Sequence, residues 1–262
     1  MATERTFNCG YCGTEVTTSD PRKLFCNKKC ADRNRNKVRP SPASLAPATL
    51  TDLKGFGKLT DEAKKRILLG EEQFSVCMYD IEATHLKPNV GRIICVSFKP
   101  IGQPTYTMHC LQPEFKKADV YDDGALANAV IDELEKYDII VGWNSKAFDY
   151  KFVNSRAFRV GGRMKVAQYH VDGMWSWRSK MSAWSGLAAA QGFALPDNET
   201  VKTSIAWDKW MQVLGWDAKL SRLALDEIVD HCEKDVVVLE DVYRTLVEAG
   251  AIRSIRRDGG VL

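Results

Sequence analysis

Asp80 and Glu82 stand two residues apart at the end of the apolar run Phe74-Ser75-Val76-Cys77-Met78-Tyr79. That run, followed by acids, reads as a strand. Residues i and i+2 of a strand face the same side, so the two carboxylates project together, about 7 Å apart. Held that way they repel one another unless a cation lies between them. Hard divalent ions such as Mg²⁺ take oxygen ligands of this kind. An isolated Asp-x-Glu pair can equally be a solvated pair, so its meaning depends on two later segments. The first is Val141-Gly142-Trp143-Asn144-Ser145-Lys146-Ala147-Phe148-Asp149. Here Ile139 to Val141 reads as a short strand, Gly142 and Asn144-Ser145 break it, and Ser145 is the expected helix N-cap. Asp149 then falls in the first helical turn, where the helix dipole favours a carboxylate whether or not it has another role. The second is His231-Cys232-Glu233-Lys234-Asp235. Leu223, Leu225, Ile228, Val229, Val236, Leu239, Val242, Tyr243 and Leu246 recur around it at helical spacing. This predicts a long helix with one buried face and with His231 and Asp235 one turn apart. Alone, that spacing also describes a surface ion pair.

In this order the three segments resemble the motifs of the DEDD superfamily, 3′-to-5′ exonucleases with a ribonuclease-H-like fold. Asp80 and Glu82 match its Asp-x-Glu; Asn144, Phe148 and Asp149 match its second motif; Asp235 matches the acid that ends its third. The resemblance covers roughly residues 73 to 247. One departure is visible: His231 has the residue type of one subclass and the spacing of the other, while Asp230 occupies the other subclass's position. The resemblance implies a two-metal-ion hydrolysis of phosphodiester bonds in DNA or RNA. Asp80, Glu82, Asp149 and Asp235 would hold two Mg²⁺ or Mn²⁺ ions, and His231 would act as general base. Asp172 is a weaker supporting candidate, and His85 reads as a turn residue. A non-catalytic nucleic-acid-binding adaptor, or an endonuclease on the same fold, are the alternatives.

The N-terminus carries a separate signal. Cys9 and Cys12, then Cys26 and Cys30, form two close pairs separated by thirteen residues, which fits a structural Cys₄ zinc site. Disulfides would need an oxidising compartment, whereas the first residues are polar and charged, so the expected location is cytoplasmic. Zinc would supply the folding free energy that so small a module lacks. Cys77 and Cys95 lie in apolar runs and read as buried small hydrophobes.

With 262 residues, 45% of them hydrophobic, the chain can build one sizeable core plus this module. A net charge of +3 says little about nucleic acid, but its distribution says more. Lys28, Lys29, Arg33, Arg35, Lys37 and Arg39 cluster in and after the cysteine module, and Arg253, Arg256 and Arg257 near the C-terminus, as expected for phosphate backbones. The Pro-containing stretch from Arg39 to Ala48 reads as a linker, and one or two short helices follow, with Thr60-Asp61-Glu62 as a start signal. Arg92 to Lys99 and Pro104 to Cys110 alternate as strands of an antiparallel meander. Asp123 to Tyr137 reads as a helix crossing over to the Ile139 strand in parallel pairing. The expected architecture is α/β: a ribonuclease-H-like mixed sheet flanked by helices, plus a small N-terminal zinc-binding module. The expected divisions are 1–38, 39–72 and 73–262. Trp175 and Trp177 could stack the bases of a single strand, with Arg178 and Lys180 on its phosphates, and the resemblance implies single-stranded 3′ ends of DNA or RNA as the partner. Trp207, Trp210 and Trp216 read as core of a helical region.

Overall fold

Val76 to Ala83 forms the strand expected there, and its first four residues are buried. A strand buried on both faces needs a continuous apolar run rather than alternation, and Val76-Cys77-Met78-Tyr79 supplies one. In the computed structural model the described residues are 5–9, 14–19, 23, 26–27, 53–116, 119, 121–162, 168–181, 186–197 and 203–258. They fall into two compact units, Met1–Thr60 and Asp61–Leu262.

In the first unit β1 (Arg5–Asn8) pairs antiparallel with β2 (Glu15–Thr18), with Phe7 opposite Val16. Cys9 follows β1, is buried, and donates its amide to the Thr14 carbonyl at 2.8 Å. Cys26 is half-buried. Cys12, Cys30, the basic cluster of residues 28–39 and the linker lie outside the described residues. A 3₁₀ turn over Leu53–Lys58 stands near the end of this unit.

The second unit begins with α1 (Asp61–Leu68), which starts at the Thr60-Asp61-Glu62 signal. Its sheet has the strands β3 (Val76–Ala83), β4 (Ile93–Pro100), β5 (Tyr106–His109), β6 (Ile139–Gly142), β7 (Gln168–Asp172) and β8 (Arg256–Asp258). Their order is β5-β4-β3-β6-β7-β8. β3, β4 and β5 form the expected antiparallel meander. The helix α2 (Gly124–Leu134) carries the chain across, and β6 joins β3 in parallel, as does β7 beside β6. The helices α3 (Asp149–Arg159), α4 (Gly173–Lys180), α5 (Leu187–Ala194), α6 (Asp208–Gln212) and α7 (Ala218–Glu248) complete the unit. This is the mixed sheet flanked by helices that the sequence led us to expect.

α7 is 31 residues long. Asp217 caps it, accepting from the amides of Lys219 and Leu220 at 2.9 and 3.0 Å. Its apolar stripe, Leu225, Ile228, Val236, Leu239, Val242, Tyr243 and Leu246, is buried, while Leu223 is half-exposed on its outer side. Two buried ion pairs brace the scaffold. Arg156 of α3 meets Asp123 through Nε at 2.8 Å and through Nη2. Asp123 also accepts from Ile93 N at 2.7 Å, and Arg156 donates onward to the carbonyls of Pro88 and Tyr121. One side chain thus ties α2, α3 and the start of β4. Glu240 of α7 meets Lys99 of β4 at 2.6 Å and Arg244 at 2.7 Å.

Three expectations need correction. Ser145 does not cap α3: the helix starts at Asp149, and the Ser145 hydroxyl is buried 2.8 Å from His170 Nε2. Trp207 and Trp216 are not core, since both indoles are exposed. Of the pair Trp175 and Trp177, the first is exposed and the second buried, because α4 turns them to different sides.

Candidate metal centre

β3 and α7 face one another across the sheet, and the acids sit where they meet. Asp80 pairs with Ser97 across the β3–β4 ladder and Glu82 with Cys95. The register then shifts between Glu82 and Ala83, a bulge that redirects the strand immediately after the second carboxylate. Glu82 Oε1 lies 3.5 Å from His231 Nε2, and Asp235 Oδ2 lies 3.9 Å from the same nitrogen. Glu82, His231 and Asp235 offer ligand atoms all within 4.8 Å of one another, and so do Asp80, Glu82 and Cys232. Asp149 belongs to neither group. Its Oδ1 accepts the Ile81 amide at 3.2 Å, so it lies against the strand between Asp80 and Glu82.

The surrounding donors fix the acids. Trp210 Nε1 donates to Glu82 Oε2 at 2.9 Å. Cys232 Sγ donates to the Asp80 carbonyl at 3.4 Å and points at its Oδ2 at 3.7 Å. Burial pushes the Cys232 thiol well up, and Cys95, Asp80 and Glu82 add to it. In the metal-free site it serves as a hydrogen-bond donor to Asp80. His231 Nδ1 lies 2.6 Å from Thr203 Oγ1. Two acceptors facing Nε2 favour the tautomer with hydrogen there, the hydroxyl then donating to Nδ1. The groups that converge are mainly carboxylate oxygens, with one imidazole and one thiol beside them, buried or half-buried. This donor chemistry fits Mg²⁺ or Mn²⁺.

The loop after β6 is shaped by backbone needs. A methyl group at Gly142 would run into the Ser145 side chain. Asn144 adopts φ 62°, a left-handed conformation that Asn tolerates better than most residues. Asp172, buried at the end of β7, accepts from the amides of Asn144, Lys146 and Trp175 at 3.0–3.2 Å. It holds this loop and caps α4 rather than joining the carboxylate groups. His85 accepts the Lys87 amide at 3.0 Å in a turn, as expected. Beside α4, a cleft of about 660 Å³ is lined by Lys146, Asp172, Trp175, Lys180 and Arg253.

Trp210, Thr203 and Cys232 were not singled out as site residues by the sequence. Cys232 had a signal, lying three residues from Asp235 and so on the same helical face. Trp210 had an indole N–H that a core position would have had to satisfy.

A sequence model described as RNase_H superfamily matches residues 77–247. Among solved structures, the family B DNA polymerase from the hyperthermophilic archaeon Pyrobaculum calidifontis superimposes with a TM-score of 0.50 at 15% identity, which shows likeness of fold. The match covers 69% of this chain and 26% of the polymerase, about a quarter of that longer chain. No curated protein matches. Among the described residues, no helix is long and apolar enough to cross a membrane.

Proposed function

The chain belongs to the RNase_H superfamily, and from that premise we propose that it is a divalent-metal-dependent nuclease, acting as a 3′-to-5′ exonuclease. The observation that carries the reading is the convergence of Glu82, His231 and Asp235, with Asp80 beside them, from two rigid elements. The order of the three motifs, and their likeness to DEDD exonucleases, supports the finer assignment. Asp80, Glu82, Asp149 and Asp235 would hold two Mg²⁺ or Mn²⁺ ions. Bound there, such ions relieve charge on a reacting phosphodiester and make water nucleophilic.

The chain's own groups do the rest. With Glu82 and Asp235 engaged by metal ions, His231 would carry its hydrogen on Nδ1 and donate it to Thr203 Oγ1, so that Nε2 could accept the proton of the attacking water. Trp210 keeps Glu82 oriented. The cleft beside α4 would take the single-stranded substrate, with Trp175 stacking on a base and Lys180 and Arg253 meeting phosphates. In the N-terminal segment, residues 1–38, Cys9, Cys12, Cys26 and Cys30 would bind one structural Zn²⁺, and the basic residues after them would strengthen binding to nucleic acid.

The test uses 5′-labelled DNA and RNA oligonucleotides with Mg²⁺, with Mn²⁺ and with EDTA. A metal-dependent ladder from the 3′ end is expected. Scattered internal cuts would mean an endonuclease, and shifted but intact bands a binding protein. Elemental analysis is expected to give one zinc per chain.

A further inference from the structure

Arg92 is 4% exposed, and its Nε has no hydrogen-bond partner among the described residues. A buried guanidinium without a counter-charge is costly, and native proteins pair such groups or bind something to them. Among the described residues, neither Asp123 nor Cys110 matches it. Asp123 accepts from Ile93 N, next to Arg92 in the chain, but its carboxylate is already held by Arg156. Cys110 is close enough for Arg92 to pull its thiol down, yet burial dominates and pushes that thiol up to about 11. At neutral pH it carries no charge.

The side chain instead lines a cavity of about 180 Å³, together with Cys110, Lys116, Trp216 and Ser221. Lys116 adds a second cation. The Ser221 hydroxyl is spent on the Val213 carbonyl at 2.6 Å and offers no second proton. Trp216, the fully exposed indole that the sequence had assigned to the core, forms part of the lining. Two cations, one of them buried and planar, with an aromatic face beside them, suit an anion with several oxygens. A guanidinium fork meets phosphate with paired hydrogen bonds, and an indole can cover a base or sugar next to it.

We propose that this cavity is a binding site for a phosphate group, monoester or diester, gripped by Arg92 and Lys116 and covered by Trp216. It is separate from the carboxylate centre and does not depend on the nuclease reading. Its volume admits a phosphate with the start of its ester, not a duplex.

Full-length protein without added Mg²⁺ or Mn²⁺, so that no such ion links phosphate to the acids while the proposed zinc stays in place, is titrated at constant ionic strength. The probes are inorganic phosphate, a nucleoside monophosphate and a single-stranded oligonucleotide, read by thermal unfolding and by the tryptophan fluorescence lost in Trp216→Phe. Saturable binding to at least one probe is expected, with Kd raised roughly 10- to 100-fold in Arg92→Met. That variant should also unfold at a higher temperature than wild type without phosphate, because its buried charge is gone. Tightest binding of the monophosphate would identify a monoester site, and of the oligonucleotide a diester site. Should Arg92→Met fail to fold, Lys116→Ala, a surface change, still has to weaken binding about tenfold. No saturable binding of any probe, or unchanged binding in these variants, overturns the proposal.

Discussion

At Arg156 every charge is answered. The guanidinium meets the Asp123 carboxylate through two nitrogens, spends its remaining donors on two carbonyls, and leaves Asp123 to accept one further amide. At Glu82 the accounting runs the other way. Carboxylates crowd together, and among the described residues the side chains beside them include an imidazole, an indole and a thiol. Both clusters are buried or nearly so, so burial of charge does not by itself mark a functional site. The difference lies in the match. A matched pair stabilises one arrangement of the chain, whereas several carboxylates gathered at one point offer the oxygen ligands that a divalent cation takes.

That contrast is open to direct attack. Asp80→Asn, Glu82→Gln, Asp149→Asn and Asp235→Asn should each lower cleavage by roughly a thousandfold or more. Thermal stability should hold or rise, because like charges are relieved. Robust Mg²⁺-dependent cleavage by folded Asp80→Asn protein would end the assignment. Arg156→Met should do the reverse. It leaves Asp123 buried without its cation, at a cost of about 3–5 kcal/mol in denaturant unfolding, with activity per folded molecule retained. A stable Arg156→Met protein without activity would erase the distinction. His231→Ala should reduce the rate about a hundredfold with little change in substrate affinity. His231→Tyr should keep part of the activity, since one subclass of the resembling family has Tyr at this spacing. A wild-type rate from His231→Ala would leave the imidazole a packing role only.

The smallest effect concerns the second matched cluster. Burial would raise the Glu240 carboxyl, but Lys99, the Gly102 amide and Arg244 together hold it below the usual range. A carboxylate lowered on folding contributes stability that is present above its unfolded pKa and lost as pH falls through the lowered value. Acid unfolding of wild type should therefore be steeper than that of Glu240→Gln, whose stability should depend less on pH in that range. Superimposable pH profiles would show that the pair contributes nothing net.

What the sequence revealed depended on range. β3 was legible because a strand buried on both faces writes itself as an apolar run, and Asp80 and Glu82 follow from period two. α7 was legible from period 3.6, and with it the face shared by His231 and Asp235. Ser145 misled because a hydroxyl at the end of a strand looks like a cap until His170, 25 positions away, claims it. The Asp123–Arg156 pair spans 33 positions and has no local pattern at all. Trp216 illustrates the same limit, since composition assigns a tryptophan to the core but only the fold decides which side it faces.

The length of α7 has one more consequence. His231 and Asp235 lie near its middle, far from the ends where helices fray, and Asp80 and Glu82 lie on an interior strand of the sheet. Backbone amides in such positions exchange with solvent mainly when the whole domain opens. The part of the constellation held by β3 and α7 therefore has no easy route to partial disassembly. Heated gradually, it should vanish in the same transition as the fold, and amide exchange at residues 231–235 should report the global unfolding free energy rather than a local one.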